Sequence, residues 1–528
     1  MKKQLIMATL GLLLLTTSSC NEEFLNLKNE NAYGDDTYFK SAPQFNEAVV
    51  ATYATLLQNG MYARDWYFIF DLLGNDAERS PALLGDLQQL SEFTFGTGQP
   101  QLTSVWQSSY RMIFRSNIVI DKLAGWNPTA ADEKALKARL AAEVKFLRGY
   151  AYFQIVNLWG AAPLRKSFTD SQNFYAPRAT KDDLWKQAEQ DFRDAVAGLP
   201  IKYDDADLGR ATKGAAVAML GKSFLYQKKY AEAATQFELL TTAAYGYKLN
   251  ANYDNQFSDK NSGSSESVFD VPHRWFGWGK NGANQYYMFG GQEAWGGQTT
   301  HTGRAQEYGF NDWKNVFVSN ALAASFTYRD ERNASYIDPR AKLVFYGNAA
   351  SGGDVDYCNT CSGGPIKYDF ADLGFRWRKY QPYEFQQNTD GPQSEINSQL
   401  IRYADVLLML AEANIFQGKM DAALPLINQV RTRVGAFRYT TLGSQANATS
   451  LLQRERQIEL AGEQVRYFDL IRWGLFKATI NAEKNAVRNI YTTLRLNPVE
   501  DKHLLLPIPQ AEKDANPTVA GQVANSWN

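Results

Sequence analysis

The sequence predicts a mainly α-helical fold: helix pairs stacked side by side, with a loop-rich ligand-binding face carried on them. Three observations lead there. Residues 43–244 and 399–528 repeatedly place apolar side chains at steps of three and four, the period of one helix face. Two stretches in those regions carry the small residues that let paired helices approach closely. The intervening block, 245–398, loses that period and fills with Gly, Asn, Ser and aromatic residues.

The first nineteen residues form a signal. Lys2 and Lys3 precede the apolar run Leu5 to Leu15, which is too short to span a bilayer, and the small residues Thr16 to Ser19 lead to Cys20. That order looks like a bacterial lipoprotein signal, with Cys20 as the acylated N-terminus of the mature chain, held to a membrane by palmitate-type chains. The acidic Asn21-Glu22-Glu23 that follows resembles a surface-export signal. Residues 20–42 read as a lipidated tether and 43–528 as a single domain.

Within that domain, 102–124 spaces Trp106, Tyr110, Ile113, Phe114 and Ile118 as one helix face. The next segment, 133–159, aligns Leu140, Val144, Leu147, Ala151, Ile155 and Leu158, and ends at Gly160 and Pro163. A further helix covers 181–198 and stops at Gly198 and Pro200. In 211–243, Ala215, Ala218 and Gly221 followed by Tyr226 to Tyr230, Ala233, Ala234 and Phe237 form a helix–turn–helix of the tetratricopeptide type. A second such pair covers 399–434. Its first helix carries Leu400, Ala404, Leu407, Leu408, Ala411 and Ile415, Gly418 breaks it, and Pro425 belongs near the start of its second helix. Stacked pairs of this kind make a solenoid-like α/α superhelix.

Composition narrows the function. Of 528 residues, 45% are hydrophobic, which suits a globular chain, and 55 basic against 56 acidic residues offer no positive field for nucleic acid. Aromatics reach 13%, with 12 Trp, 29 Tyr and 30 Phe. Most fill the core, but Trp and Tyr also suit binding faces. Besides Cys20 there are Cys358 and Cys361, a C-x-x-C pair in a Gly- and Ser-rich loop. A local disulfide is the default outside the cell; metal binding would need two further ligands, with only His273, His301 and His503 on offer, and free thiols are the third option.

Several segments together resemble the SusD/RagB family of surface nutrient-binding lipoproteins. They are Cys20 with Phe24-Leu25, Leu147-Arg148-Gly149-Tyr150 through Leu158-Trp159-Gly160, Leu400-Ile401-Arg402-Tyr403-Ala404-Asp405, Arg454-Glu455-Arg456 through Arg472-Trp473-Gly474, and Leu506-Pro507-Ile508-Pro509. The tail, ending Asn525-Ser526-Trp527-Asn528, departs from the family's usual closing turn. The resemblance implies a lipid-anchored protein of the outer-membrane surface. It would bind an oligosaccharide, or in some members a peptide, and act as a lid on a SusC-like TonB-dependent transporter. It implies no cofactor.

For sugars, the residues themselves suggest where to look. Saccharides present C–H faces to aromatic rings and hydroxyls to amides and charges. Two segments offer that mixture: Trp275, Trp278, Tyr286, Trp295 and Arg304 in the aromatic block, and Trp66, Tyr67, Asn75 and Arg79 upstream, read as a loop between helices. Each Trp has core packing as its alternative. Arg466, Asp469 and Arg472 read as ion pairs ordering the helix layer rather than as catalytic groups. Asp204, Asp205 and Asp207 read as a solvated loop rather than a calcium site. No nucleophile elbow, zinc-protease helix or phosphate loop is present, so a binder is expected and a surface glycoside hydrolase is the enzyme alternative.

Overall fold

Long, evenly spaced apolar stripes give long helices, and these build the scaffold of the computed structural model. It describes residues 38–81, 83–204, 207–258, 264–273, 304–309, 313–357, 366–380, 396–483, 497–521 and Trp527. The chain divides into two compact units, residues 1–45 and 46–528. In the first, Phe39 packs against Tyr38 and Phe45, with ring centroids 5.1 and 5.3 Å apart, and α1 (Ala42–Tyr53) begins there.

The second unit opens with α2 (Asp65–Leu73), the short strand β1 (Ala77–Arg79) and α3 (Gly85–Glu92). Then come α4 (Pro100–Gly125), α5 (Ala131–Trp159) and α6 (Lys181–Gly198), matching the three expected stripes. Pro100 occupies the first turn of α4, where its missing N–H costs nothing. Thr180 caps α6 by accepting a hydrogen bond from Asp183 N at 3.1 Å.

The first expected pair is present as α7 (Lys213–Tyr226) and α8 (Tyr230–Leu240). Gly221 sits where a Cβ would stand 2.7 Å from the Phe237 ring, so the absent side chain sets how closely the two helices lie. The chain then leaves the stack through β2 (Ser267–Val271), α9 (Arg304–Tyr308), β3 (Val316–Val318) and further short strands and turns, and returns on β4 (Ser398–Arg402). Antiparallel pairing of β2 with β4 closes the neck of this insert. Leu400 therefore lies on a strand, not on the first turn of the following helix as its apolar spacing suggested. The ladder with Ser267–Val271 outcompetes helical continuation.

The second pair is α10 (Tyr403–Phe416) and α11 (Met420–Arg433), followed by α12 (Gln445–Glu459), α13 (Arg466–Arg472) and α14 (Phe476–Glu483). Pro425 is the sixth residue of α11. The insert does not interrupt the stack: α8 packs directly on α10, with Tyr230 and Phe416 stacked at 4.6 Å.

Buried ion pairs bind these layers. Arg456 on α12 donates to Asp469 at 2.7 Å and to Asp405 on α10 at 2.8 Å. Arg472 reaches Asp469 at 2.8 Å and Glu412 at 2.8 Å. Arg466 instead bonds Asn75. A second network joins Arg340 to Asp338, Glu455 and Glu459, and Arg402 to Glu266, Glu459 and Glu463. Such groups are stable when buried only because each is paired and hydrogen-bonded. Among the described residues, no helix is long and apolar enough to cross a membrane.

Candidate functional site

The upstream segment is not a loop. Asp65–Leu73 reads Asp-Trp-Tyr-Phe-Ile-Phe-Asp-Leu-Leu, apolar nearly all round, and a helix of that kind is buried on every side. Trp66 is only 4% exposed and sits among Tyr62, Phe70 and Phe468, at centroid distances of 5.5, 4.5 and 6.2 Å. Tyr67 meets Tyr308 edge to face at 5.5 Å. Arg64, just before the helix, donates from Nε to Glu307 at 3.0 Å and lies 5.0 Å from the Phe68 ring.

The structure joins this helix to the downstream segment. Arg304 Nη2 donates to Asp71 Oδ2 at 2.9 Å and to the carbonyl of Gly462 at 2.5 Å. Its guanidinium lies 4.0 Å from the centroid of Tyr380 and 5.8 Å from that of Tyr67, within cation–π range. Gln464 Nε2 donates to both oxygens of Asp71, at 2.9 and 3.0 Å. Gly462 makes this turn possible: its φ is +68°, and a Cβ there would fall 2.6 Å from the Trp377 ring. Arg304 and Tyr380 each stand at the edge of a segment outside the described residues. Trp275, Trp278, Tyr286 and Trp295 lie in the first of these.

Beside the ring cluster lies a narrow cavity of about 40 Å³, room for a water molecule or two rather than a sugar ring. Its apolar lining includes Tyr62, Trp66, Tyr150, Phe153, Tyr226 and Phe468; Gln154, Lys222, Gln399, Glu463 and Gln464 supply polar groups. The hydroxyls of Tyr62 and Tyr150 hydrogen-bond to each other. Gln154 Oε1 is buried and has no hydrogen-bond partner among the described residues. Burial also governs two carboxyls near the ends of α2, outside this lining. It lifts Asp65 to about 6, against the pull of Ser104 and Arg64, and it lifts Asp76 to about 7, against that of Arg466.

Two of the predicted ligand residues are placed elsewhere. Asn75 donates to Glu483 at 2.7 Å and accepts from Arg466 at 3.2 Å. Arg79 lies on β1, paired with Val316 of β3, and its guanidinium holds Glu92 and the carbonyl of Ser80. Both side chains are buried in structural contacts rather than joined to the ring cluster, because β1 leads away from α2 into a paired strand. Cys20, Cys358 and Cys361 lie outside the described residues. His273 is hydrogen-bonded to Ser398 at 2.9 Å, and His503 is packed among Phe93, Phe95 and Trp527. Asp207 is bound by Arg210 at 2.7 Å and Arg139 at 3.2 Å. Among the described residues no group of three or more His, Cys, Asp or Glu side chains could hold a metal ion. Asp71, Glu307, Tyr308, Tyr380, Gly462 and Gln464 were not singled out from the sequence. Their partners are distant in the sequence, from 76 positions between Arg304 and Tyr380 to 393 between Asp71 and Gln464, and no local pattern marks them.

Comparison with known proteins agrees with this architecture. Residues 265–525 match the model of the SusD family, and residues 23–225 match a model described as starch-binding, associating with outer membrane. A SusD-like protein of Formosa agariphila is 25% identical over 96% of this chain and 96% of its own. A SusD-like protein of Bacteroides ovatus is 24% identical over 89% of this chain and 82% of its own. Among solved structures, a SusD superfamily protein from Bacteroides vulgatus superposes with a TM-score of 0.73, at 24% identity, covering 92% of this chain and 99% of that one. A laminarin-binding SusD-like protein superposes at 0.70, with 25% identity over 92% and 99%. With both halves of the sequence matched and the helical stack reproduced, the chain belongs to the SusD/RagB family.

Proposed function

We propose that this protein binds an oligosaccharide at the cell surface, anchored in the outer membrane through lipid on Cys20, and delivers it to a SusC-like TonB-dependent transporter without cleaving it. The observation that carries the binding reading is the match of the chain to two family models, one of them described as starch-binding, associating with outer membrane. Rings take the C–H faces of a sugar, and amides take its hydroxyls. The laminarin-binding relative and a structure of similar fold solved with xylogluco-oligosaccharide support saccharide as the ligand class. Trp275, Trp278, Tyr286 and Trp295 precede Arg304 in the chain. We propose them as ligand residues on their chemistry, rings set among amides within one segment.

The test is isothermal titration of the chain from residue 21 onward against a panel of neutral and acidic oligosaccharides and of peptides, with product analysis after long incubation. Saccharide binding without cleavage is the expected result. Trp275→Ala, Trp278→Ala and Trp295→Ala are then compared for affinity and melting temperature. At least one should keep its melting temperature and lose about tenfold in affinity. Binding of peptides alone would move the protein to the peptide-binding members. Cleavage abolished by a single carboxylate change would make it a glycoside hydrolase.

A further inference from the structure

A second groove lies on the helix stack, against α11. It measures about 690 Å³, within the range of about 300–1,000 Å³ typical of small-ligand sites. One wall is the segment 247–251, after α8; the other is the face of α11 that carries Pro425, Asn428, Gln429 and Thr432, continued by Arg438. None of its lining residues belongs to the cavity beside α2.

Its charge is one-sided. Three cations, Lys248, Arg433 and Arg438, line it, and no carboxylate does. Arg433 is nearly fully buried and held by Glu266 and Glu459, and its Nε has no hydrogen-bond partner among the described residues. Lys248 and Arg438 are exposed, and neither has an ion-pair partner among the described residues. Most described arginines are ion-paired, so an unpaired Arg438 beside Lys248 leaves this groove with net positive charge. The remaining polar lining, Tyr247, Asn250, Asn428, Gln429 and Thr432, is neutral; Asn250 donates to Gln256 and Ser264, Asn428 is bound to Tyr439 and Thr432 donates to the Asn428 carbonyl, which leaves Gln429 as the amide facing the groove.

We propose that this groove binds the acidic part of a saccharide, a uronate carboxylate or a sulfate ester, with Lys248 and Arg438 engaging the anion and Gln429 the hydroxyls. This rests on the reading of the protein as a saccharide binder and narrows it to chains that carry negative charge. Bonds from cations to a carboxylate or sulfate are charge-assisted and weaken with salt when the cations are exposed. A volume of about 690 Å³ is far more than a simple inorganic anion needs and has room for a sugar unit.

The experiment uses the chain from residue 21 onward and a Lys248→Ala/Arg438→Ala variant. Both substitutions are on exposed side chains, so the melting temperature should not move. Titrations are run with an oligogalacturonate, a sulfated galactan oligosaccharide, a neutral gluco-oligosaccharide and a poly-glutamate peptide, at low and at raised salt. The wild type should bind at least one acidic saccharide, and the variant should lose about tenfold or more of that affinity with a shallower salt dependence. Affinity for the neutral oligosaccharide should stay unchanged. Whether the uronate or the sulfated probe responds tells the two anions apart. Binding of neutral saccharide but of neither acidic probe, or acidic binding equal in both proteins, overturns the groove assignment and leaves saccharide binding intact. Poly-glutamate bound as tightly as the acidic saccharide, and weakened equally, overturns the saccharide identity of the occupant. Absence of all saccharide binding overturns both readings.

Discussion

Arg304 and Asp71, 233 positions apart in sequence, meet through a hydrogen bond of 2.9 Å at the point where the insert closes on α2. Burial drives the Asp71 carboxyl upward, while Arg304, with Gln464 and Tyr308 hydrogen-bonded to it, holds it back. The pair thus fastens α9 to α2.

Replacing Arg304 with Ala leaves Asp71 buried beside Gln464 and Tyr308 without its cation. The expected loss is about 3–5 kcal/mol. Urea unfolding measures it, and a double-mutant cycle with Asp71→Asn should recover part of the loss, because the unpaired charge is then gone. Equal losses that simply add would show that the two residues act separately.

Glu459 sits among Arg402, Arg433 and Arg340. Burial alone would raise its pKa, but Arg433, Arg402 and Arg340 hold the carboxyl far below its usual range. A group held low when folded contributes stability above its unfolded value, near 4.3, and loses that contribution as the pH falls toward its folded value. Wild type should therefore melt progressively earlier below about pH 4. Glu459→Gln should be destabilised by about 3–5 kcal/mol at pH 7, with the gap to wild type narrowing in acid. A gap independent of pH would contradict the assignment.

Asp76 behaves oppositely. Its folded value of about 7 stands above an unfolded value near 3.9, so between them the folded state keeps a proton that the unfolded state releases. Its contribution to stability falls as the pH rises through that window. Asp76→Asn removes the effect. Compared with the variant, wild type should lose about 2–3 kcal/mol between pH 5 and pH 8, read from urea midpoints. Parallel profiles would refute the shift.

Gly221→Ala should crowd Phe237 and destabilise the α7–α8 pair. Overpacking costs about 1–3 kcal/mol, offset by about 1 kcal/mol of helix propensity. A melting temperature at or above wild type would mean that the pair can open to admit a methyl group.

Cys20→Ala should leave the fold intact and release the protein from the outer-membrane fraction, since the lipid is the proposed anchor. Detergent-phase partitioning compares the two forms. Equal partitioning would remove the lipid-anchor reading.

The helices were legible because each stripe is local. A three-to-four spacing of apolar residues says where a helix lies and which face it buries, and Leu140 to Leu158, Ala215 to Phe237 and Ala404 to Ile415 each carried that information within one segment. The two segments that supply Tyr67 and Arg304 could also be named, because ring and charge composition is local too. What composition could not supply was geometry. The Trp66–Tyr67 segment is a buried helix rather than a loop, since its apolar residues find partners in Tyr308 and Phe468, which are distant in the chain. Asn75 and Arg79 look like sugar ligands in sequence, and Glu483 and Glu92 claim them in three dimensions. Leu400 fits a helical stripe, yet it lies in a strand, at the irregularity between Gln399 and Ile401, which pair with Asp270 and Phe269 of β2. The sequence by itself thus determined the stack of helix pairs and the chemical character of the ligand face. Only the tertiary structure decided which polar groups are consumed by buried ion pairs and which, like Lys248 and Arg438, are left facing a groove, because pairing depends on contacts between residues far apart in the chain.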